Sequence, residues 1–123
     1  MSFSITKSLT TIAVIDWQVS LSFYAALLQM PPQKLQTDRY AEFCLANLTI
    51  ALYVPRATEP PSPSTRAHPS LSLCLYVQPL SAAIERLTAL GYAPPKGIQQ
   101  SSHGQEIYVY DPNGNRIILY EPN

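Results

Sequence analysis

Tyrosines are the residues of this chain whose spacing points to chemistry. In Glu106–Tyr110 and Arg116–Tyr120, the side chains of Glu106, Tyr108, Tyr110, Arg116 and Tyr120 alternate with Ile107, Val109, Ile117 and Leu119. Such alternation puts the two sets on opposite faces of a strand. The same parity separates Ser72, Cys74 and Tyr76 from Leu71, Leu73, Leu75 and Val77, and Thr49, Ala51 and Tyr53 from Ile50, Leu52 and Val54. Thr11 and Ala13 share a face with Leu9. The polar faces predict a mostly neutral, tyrosine-rich pocket holding one carboxylate, Glu106, and one cation, Arg116 or Arg39. A tyrosine offers a ring for stacking and a hydroxyl for orientation at low entropic cost, so this lining suits a flat or amphipathic small molecule. The competing reading is that the rings fill the space themselves or meet a second subunit, as aromatic side chains commonly do.

Other chemistries find less support. His103 and Glu106 would fall on opposite faces of one strand, and two ligands are too few for a stable metal site. Neither a Ser-His-Asp arrangement nor a glycine-rich phosphate loop is apparent. Cys44 and Cys74 lack C-x-x-C spacing and read as buried free thiols rather than a disulfide or a zinc knuckle. Eight basic and eight acidic residues cancel, without a Lys/Arg run, which argues against a nucleic-acid partner. No apolar run suits a membrane span or a signal peptide, so a cytoplasmic protein is expected.

The elements that must position the tyrosines repeat. Residues 9–15 read as a strand, and Asp16 caps a helix that must end by Met30 because Pro31-Pro32 follows. Extended stretches are expected at 33–38, 40–46 and 48–54, the last two joined by a tight turn at Ala46-Asn47. Residues 56–69, rich in proline, serine and threonine, read as an exposed connector that carries His68. A strand at 71–77, a helix from Leu80 to Leu90 stopped by Gly91, and strands at 92–99, 105–110 and 116–120 complete the chain. Asp111-Pro112-Asn113-Gly114-Asn115 turns the last pair. The closing segments Ile50-Ala51-Leu52-Tyr53-Val54-Pro55 and Ile117-Ile118-Leu119-Tyr120-Glu121-Pro122 match at four of six positions. The fold class expected is α+β, two βαβββ modules forming one curved mixed sheet, a cup with a helix on the outer face of each half. All 123 residues are expected to form a single domain, with module 1 at about 1–55 and module 2 at about 70–123.

The run Val14 to Leu28, with its Phe23-Tyr24 pair, resembles the first strand and helix of the vicinal-oxygen-chelate superfamily, which includes glyoxalase I, bleomycin-resistance proteins and extradiol dioxygenases. The Asp111–Asn115 turn and the alternating strand after it are similar to the closing signature of that superfamily. Gln29 stands where the family usually has glycine. The resemblance implies divalent-metal ligands on the first and last strands of each module. Here those places fall on Leu9, Ala51, Ser72 and Ile118, and a lone hydroxyl among aliphatic side chains does not hold zinc, nickel, manganese or iron. The expectation is therefore a metal-independent small-molecule-binding protein without a cofactor. Its pocket would be formed by Thr11, Tyr53, Ser72, Cys74, Tyr76, Glu106, Tyr108, Tyr110 and Tyr120. A metal-dependent glyoxalase-like lyase or dioxygenase, with ligands elsewhere or borrowed across a dimer, and a silent interaction module are the alternatives. The resemblance and the open sheet edges also imply a symmetric homodimer.

Overall fold

A computed structural model of the chain describes residues 2, 4–59, 69 and 71–123. They form two compact units, Met1–Glu59 and Pro60–Asn123. The first contains β1 (Thr10–Ala13), α1 (Trp17–Leu28), β2 (Lys34–Gln36), β3 (Tyr40–Cys44) and β4 (Thr49–Tyr53). The second contains β5 (Leu73–Tyr76), α2 (Leu80–Ala89), β6 (Gln99–Gln100), β7 (Gly104–Tyr110) and β8 (Arg116–Pro122). The chain is thus α+β with two βαβββ modules, and hydrogen bonding gives each module its own four-stranded sheet. Strand order is β1-β4-β3-β2 in one and β5-β8-β7-β6 in the other. In both, the first strand lies parallel to the fourth while the remaining pairs are antiparallel.

Local chemistry sets the boundaries. Asp16 caps α1 by accepting from the Val19 N–H through Oδ1 at 3.2 Å. The helix ends where Gln29 turns left-handed at φ 58°, so the turn usually made by glycine is made here by glutamine. No side chain of its own caps α2, and Glu121 from β8 accepts from the Leu80 N–H instead. Gly91 at φ 92° ends it, with Tyr92 N–H donating to Leu87 O at 2.8 Å. The Leu45–Leu48 turn closes at 2.8 Å around Ala46-Asn47. In the β7–β8 turn the buried Asp111 side chain accepts from the Asn113 and Asn115 N–H groups, both at 2.8 Å.

One face of each sheet is core. Ala41, Phe43, Ile50 and Leu52 are fully buried in the first unit, and Val109, Ile117, Leu119 and Leu87 in the second. Four sequence expectations are corrected. The stretch at 92–99 yields only the short β6, because Pro94-Pro95 supplies no ladder donors. Leu71 is 85% exposed, since β5 begins after it, and Val54 is 37% exposed, since β4 ends before it. Cys44 and Cys74 are exposed rather than buried, because each lies on the face opposite its apolar strand neighbours. Most of the expected connector, including His68, lies outside the described residues. Among the described residues no helix is long and apolar enough to cross a membrane.

Candidate functional site

The second sheet gathers seven of the expected residues on its non-core face. Register places Tyr76, Tyr120, Glu106 and Gln99 in one row across β5, β8, β7 and β6. The next row holds Cys74, Ile118 and Tyr108, and Tyr110 faces Arg116 beyond it. The Tyr76 and Tyr120 rings lie 4.8 Å apart with a 51° tilt, and Tyr76 is 73% exposed. Arg116 binds the surface together: its Nε donates to Ser72 Oγ at 3.0 Å, and its guanidinium carbon stands 4.9 Å from the Tyr108 ring centre. Tyr108 donates to Glu106 Oε1 at 3.4 Å. Partial desolvation and the Glu106 charge push the Cys74 thiol up, so it is a poor thiolate nucleophile.

The first sheet repeats the theme. Thr11 and Ala51 share a row with Glu42 and Lys34, while Tyr53 sits between Ala13 and Tyr40 in the next. Glu42, 6% exposed, accepts from Tyr40 OH at 2.6 Å and from Lys7 Nζ at 3.3 and 3.4 Å. The Tyr40 bond, aided by Lys7 and Lys34 and opposed by desolvation, holds the Glu42 carboxyl below the usual carboxylate range. The same bond is the main reason the Tyr40 phenol is pushed up to about 12. Tyr53 donates to Glu59 Oε2 at 2.9 Å, which raises its phenol also. Beside these residues a solvent-open cavity of about 600 Å³ is lined by Lys34, Arg39, Arg56, Tyr40, Tyr53 and Glu59, with Gln36 and Val54.

Of the nine expected pocket residues, Tyr53 alone lines this cavity. Thr11 lies on the same sheet face, and the other seven form the second module's surface. Arg39 lines the cavity and Arg116 the second face, so both candidate cations have a place. Tyr40 and Glu42 were missed, although Tyr40, Glu42 and Cys44 alternate with Ala41 and Phe43 in the pattern used for the other strands. The Lys7 contact, 35 positions away, left no such signal.

The places where the metal ligands of the related fold would sit do not fit a divalent metal. Leu9, Ala51 and Ile118 offer no lone pair, and the Ser72 hydroxyl already accepts from Arg116. Among the described residues, no three His, Cys, Asp or Glu side chains form a group able to hold a metal ion.

Residues 8–119 match the model of the Glyoxalase/Bleomycin resistance protein/Dioxygenase superfamily, and the chain belongs to that superfamily. Among solved structures it is similar to a genomically encoded fosfomycin resistance protein from Listeria monocytogenes, at 20% identity and TM-score 0.73, covering 98% of this chain and 94% of that one. A glyoxalase/bleomycin resistance protein from Catenulispora acidiphila matches at 18% identity and TM-score 0.67, covering 94% of this chain and 97% of that one. A fosfomycin resistance protein from Mesorhizobium loti matches at 15% identity and TM-score 0.69, covering 98% of this chain and 95% of that one. At such identities the likeness establishes the fold alone. No curated protein matches the sequence significantly.

Proposed function

We propose that the chain is a metal-independent small-molecule-binding protein whose ligand lies on the tyrosine-bearing face of the second sheet. The observation that carries this reading is the Tyr76–Tyr120 pair on the same sheet face as an Arg116 fixed by Ser72 and Tyr108, in a module where Ser72 and Ile118 take the metal-ligand places. Two ring faces and an oriented cation suit a flat ligand with a polar edge. Glu106, Tyr110 and Cys74 border the surface, and Thr11 and Tyr53 occupy the corresponding face of module 1. A variant of the Listeria protein was solved with manganese(II) and 1S,2S-dihydroxypropylphosphonic acid. This chain departs from metal use through its donor set, not its fold.

The test is elemental analysis of protein purified without chelators, with manganese, nickel, zinc and iron added back, followed by a thermal-shift screen of flat aromatic compounds. The expected result is substoichiometric metal and a stabilising compound whose effect is lost in Tyr76→Ala. Stoichiometric metal refutes the reading. We further propose a cytoplasmic homodimer: Cys44 and Cys74 are free thiols, and β2 and β6 end their sheets as short exposed edges. Light scattering at micromolar concentration tests the dimer.

A further inference from the structure

We propose that the module 1 cavity is a binding site for small dianions carried on an aromatic or apolar body, such as a phosphate monoester. The inference rests on charge and shape within module 1, and it stands whether or not the module 2 face binds a ligand. Three of the eight basic residues of a chain with zero net charge, Lys34, Arg39 and Arg56, line this one cavity. Glu59 is the single carboxylate among the lining residues, so the wall carries a formal excess of about two positive charges. Like charges held around one concavity repel, and an entering dianion relieves that repulsion.

The tyrosines decide what the anion is attached to. Tyr40 and Tyr53 are direct cross-strand partners, so both side chains rise from one sheet face, and both line the cavity. Their hydroxyls donate elsewhere, Tyr40 to Glu42 at 2.6 Å and Tyr53 to Glu59 at 2.9 Å. What they offer a ligand is ring surface, while the arginines supply planar forks that match oxyanion geometry. At about 600 Å³ the cavity exceeds the needs of a bare inorganic ion and accommodates a body of one or two rings.

Phenyl phosphate is the probe, measured by calorimetric titration beside phenol, inorganic phosphate and benzoate. Phenyl phosphate is expected to bind at least about tenfold more tightly than phenol or inorganic phosphate, and to weaken several-fold between 50 mM and 500 mM salt, as exposed charge pairs do. Benzoate, with one charge, should fall between phenol and phenyl phosphate; benzoate binding more tightly would overturn the dianion assignment. The double variant Arg39→Ala/Arg56→Ala, both residues being exposed, should keep its far-UV spectrum and lose about tenfold in affinity. Glu59→Gln should tighten binding by removing the opposing charge. Lys96→Ala, which removes an exposed basic residue of module 2 away from both surfaces, should leave it unchanged. Equal binding of phenol and phenyl phosphate, an unaltered affinity in the folded double variant, or an equal loss of affinity in Lys96→Ala would each overturn the proposal.

Discussion

Removing one carboxylate from β8 should loosen the start of a helix 41 positions earlier in the chain. Helix α2 opens at Pro79 with no capping side chain, and no acidic residue lies in its first turn. Its first N–H, that of the buried Leu80, donates to Glu121 Oε1. A hydrogen bond to a charged group contributes about 1.5–3 kcal/mol, and a carboxylate at a helix N-terminus about 0.3–1 kcal/mol more. Glu121 is half-buried, so solvent recovers part of this, and Glu121→Ala should cost about 1–2 kcal/mol, within the range of lost caps. For a chain of this length that corresponds to a fall in Tm of roughly 4–8 °C. Glu121→Gln retains an acceptor but not the charge and should cost about half as much. Urea unfolding followed by far-UV circular dichroism, at constant m, measures both. A change below about 0.3 kcal/mol in Glu121→Ala, or equal losses in the two variants, would refute the assignment of Glu121 as a charged cap supplied from the sheet.

Three further outcomes are expected. Gln29→Gly should raise stability by up to about 1 kcal/mol, because φ 58° strains a residue that bears a Cβ; an unfolding midpoint at or below the parent's would count against it. Gly104→Ala should destabilise by more than about 2 kcal/mol, since its Cβ would come within 2.3 Å of Glu121 O and 2.9 Å of Pro122 Cα in the β7–β8 ladder, whereas Gly97→Ala, with open space around it, should be close to neutral. Tyr40→Phe should move the Glu42 titration, followed by carbon NMR, up toward the ordinary carboxylate range, and should remove from the ultraviolet titration a phenol that ionises at about 12. The signs follow from linkage. The depressed Glu42 contributes stability that is complete above the ordinary carboxylate pKa and is lost as pH falls through its folded value. The raised Tyr40 contributes stability that is complete below about pH 10 and is lost as pH rises through about 12. An unchanged Glu42 titration would remove Tyr40 as the main cause.

The fold was legible because two periodicities and a few turn residues specify it locally. Asp16, Pro31-Pro32, Gly91 and the Asp111–Asn115 run mark boundaries that backbone chemistry enforces wherever they occur. Strand parity also sorted Cys74, Tyr76, Glu106, Tyr108 and Tyr120 onto one face correctly. Parity identifies a face but not a depth. It could not show that β5 starts only at Leu73, or that the 600 Å³ cavity forms beside β2, where Lys34 and Gln36 look like ordinary exposed residues of a short edge strand.

The duplicated strands explain why two surfaces of different charge character stand on one repeated scaffold. Tyr40 faces Tyr53 and Glu42 faces Ala51, whereas Glu106 faces Tyr120 and Tyr108 faces Ile118. The tyrosine–glutamate pair on the third strand of each module is therefore reversed in order. In module 1 the carboxylate lies beside Ala51, sinks out of solvent and is held by Tyr40 at 2.6 Å with Lys7 as its ion-pair partner and Lys34 across the strand pair, while Lys34, Arg39 and Arg56 line the cavity. In module 2 the tyrosine takes that position beside Ile118, its bond to Glu106 lengthens to 3.4 Å, and Arg116 folds over its ring toward Ser72. The same strand order thus carries a cation-lined hollow in one module and a ring-bearing face with one anchored arginine in the other, and the reversed tyrosine–glutamate order is one of the residue differences that distinguish them.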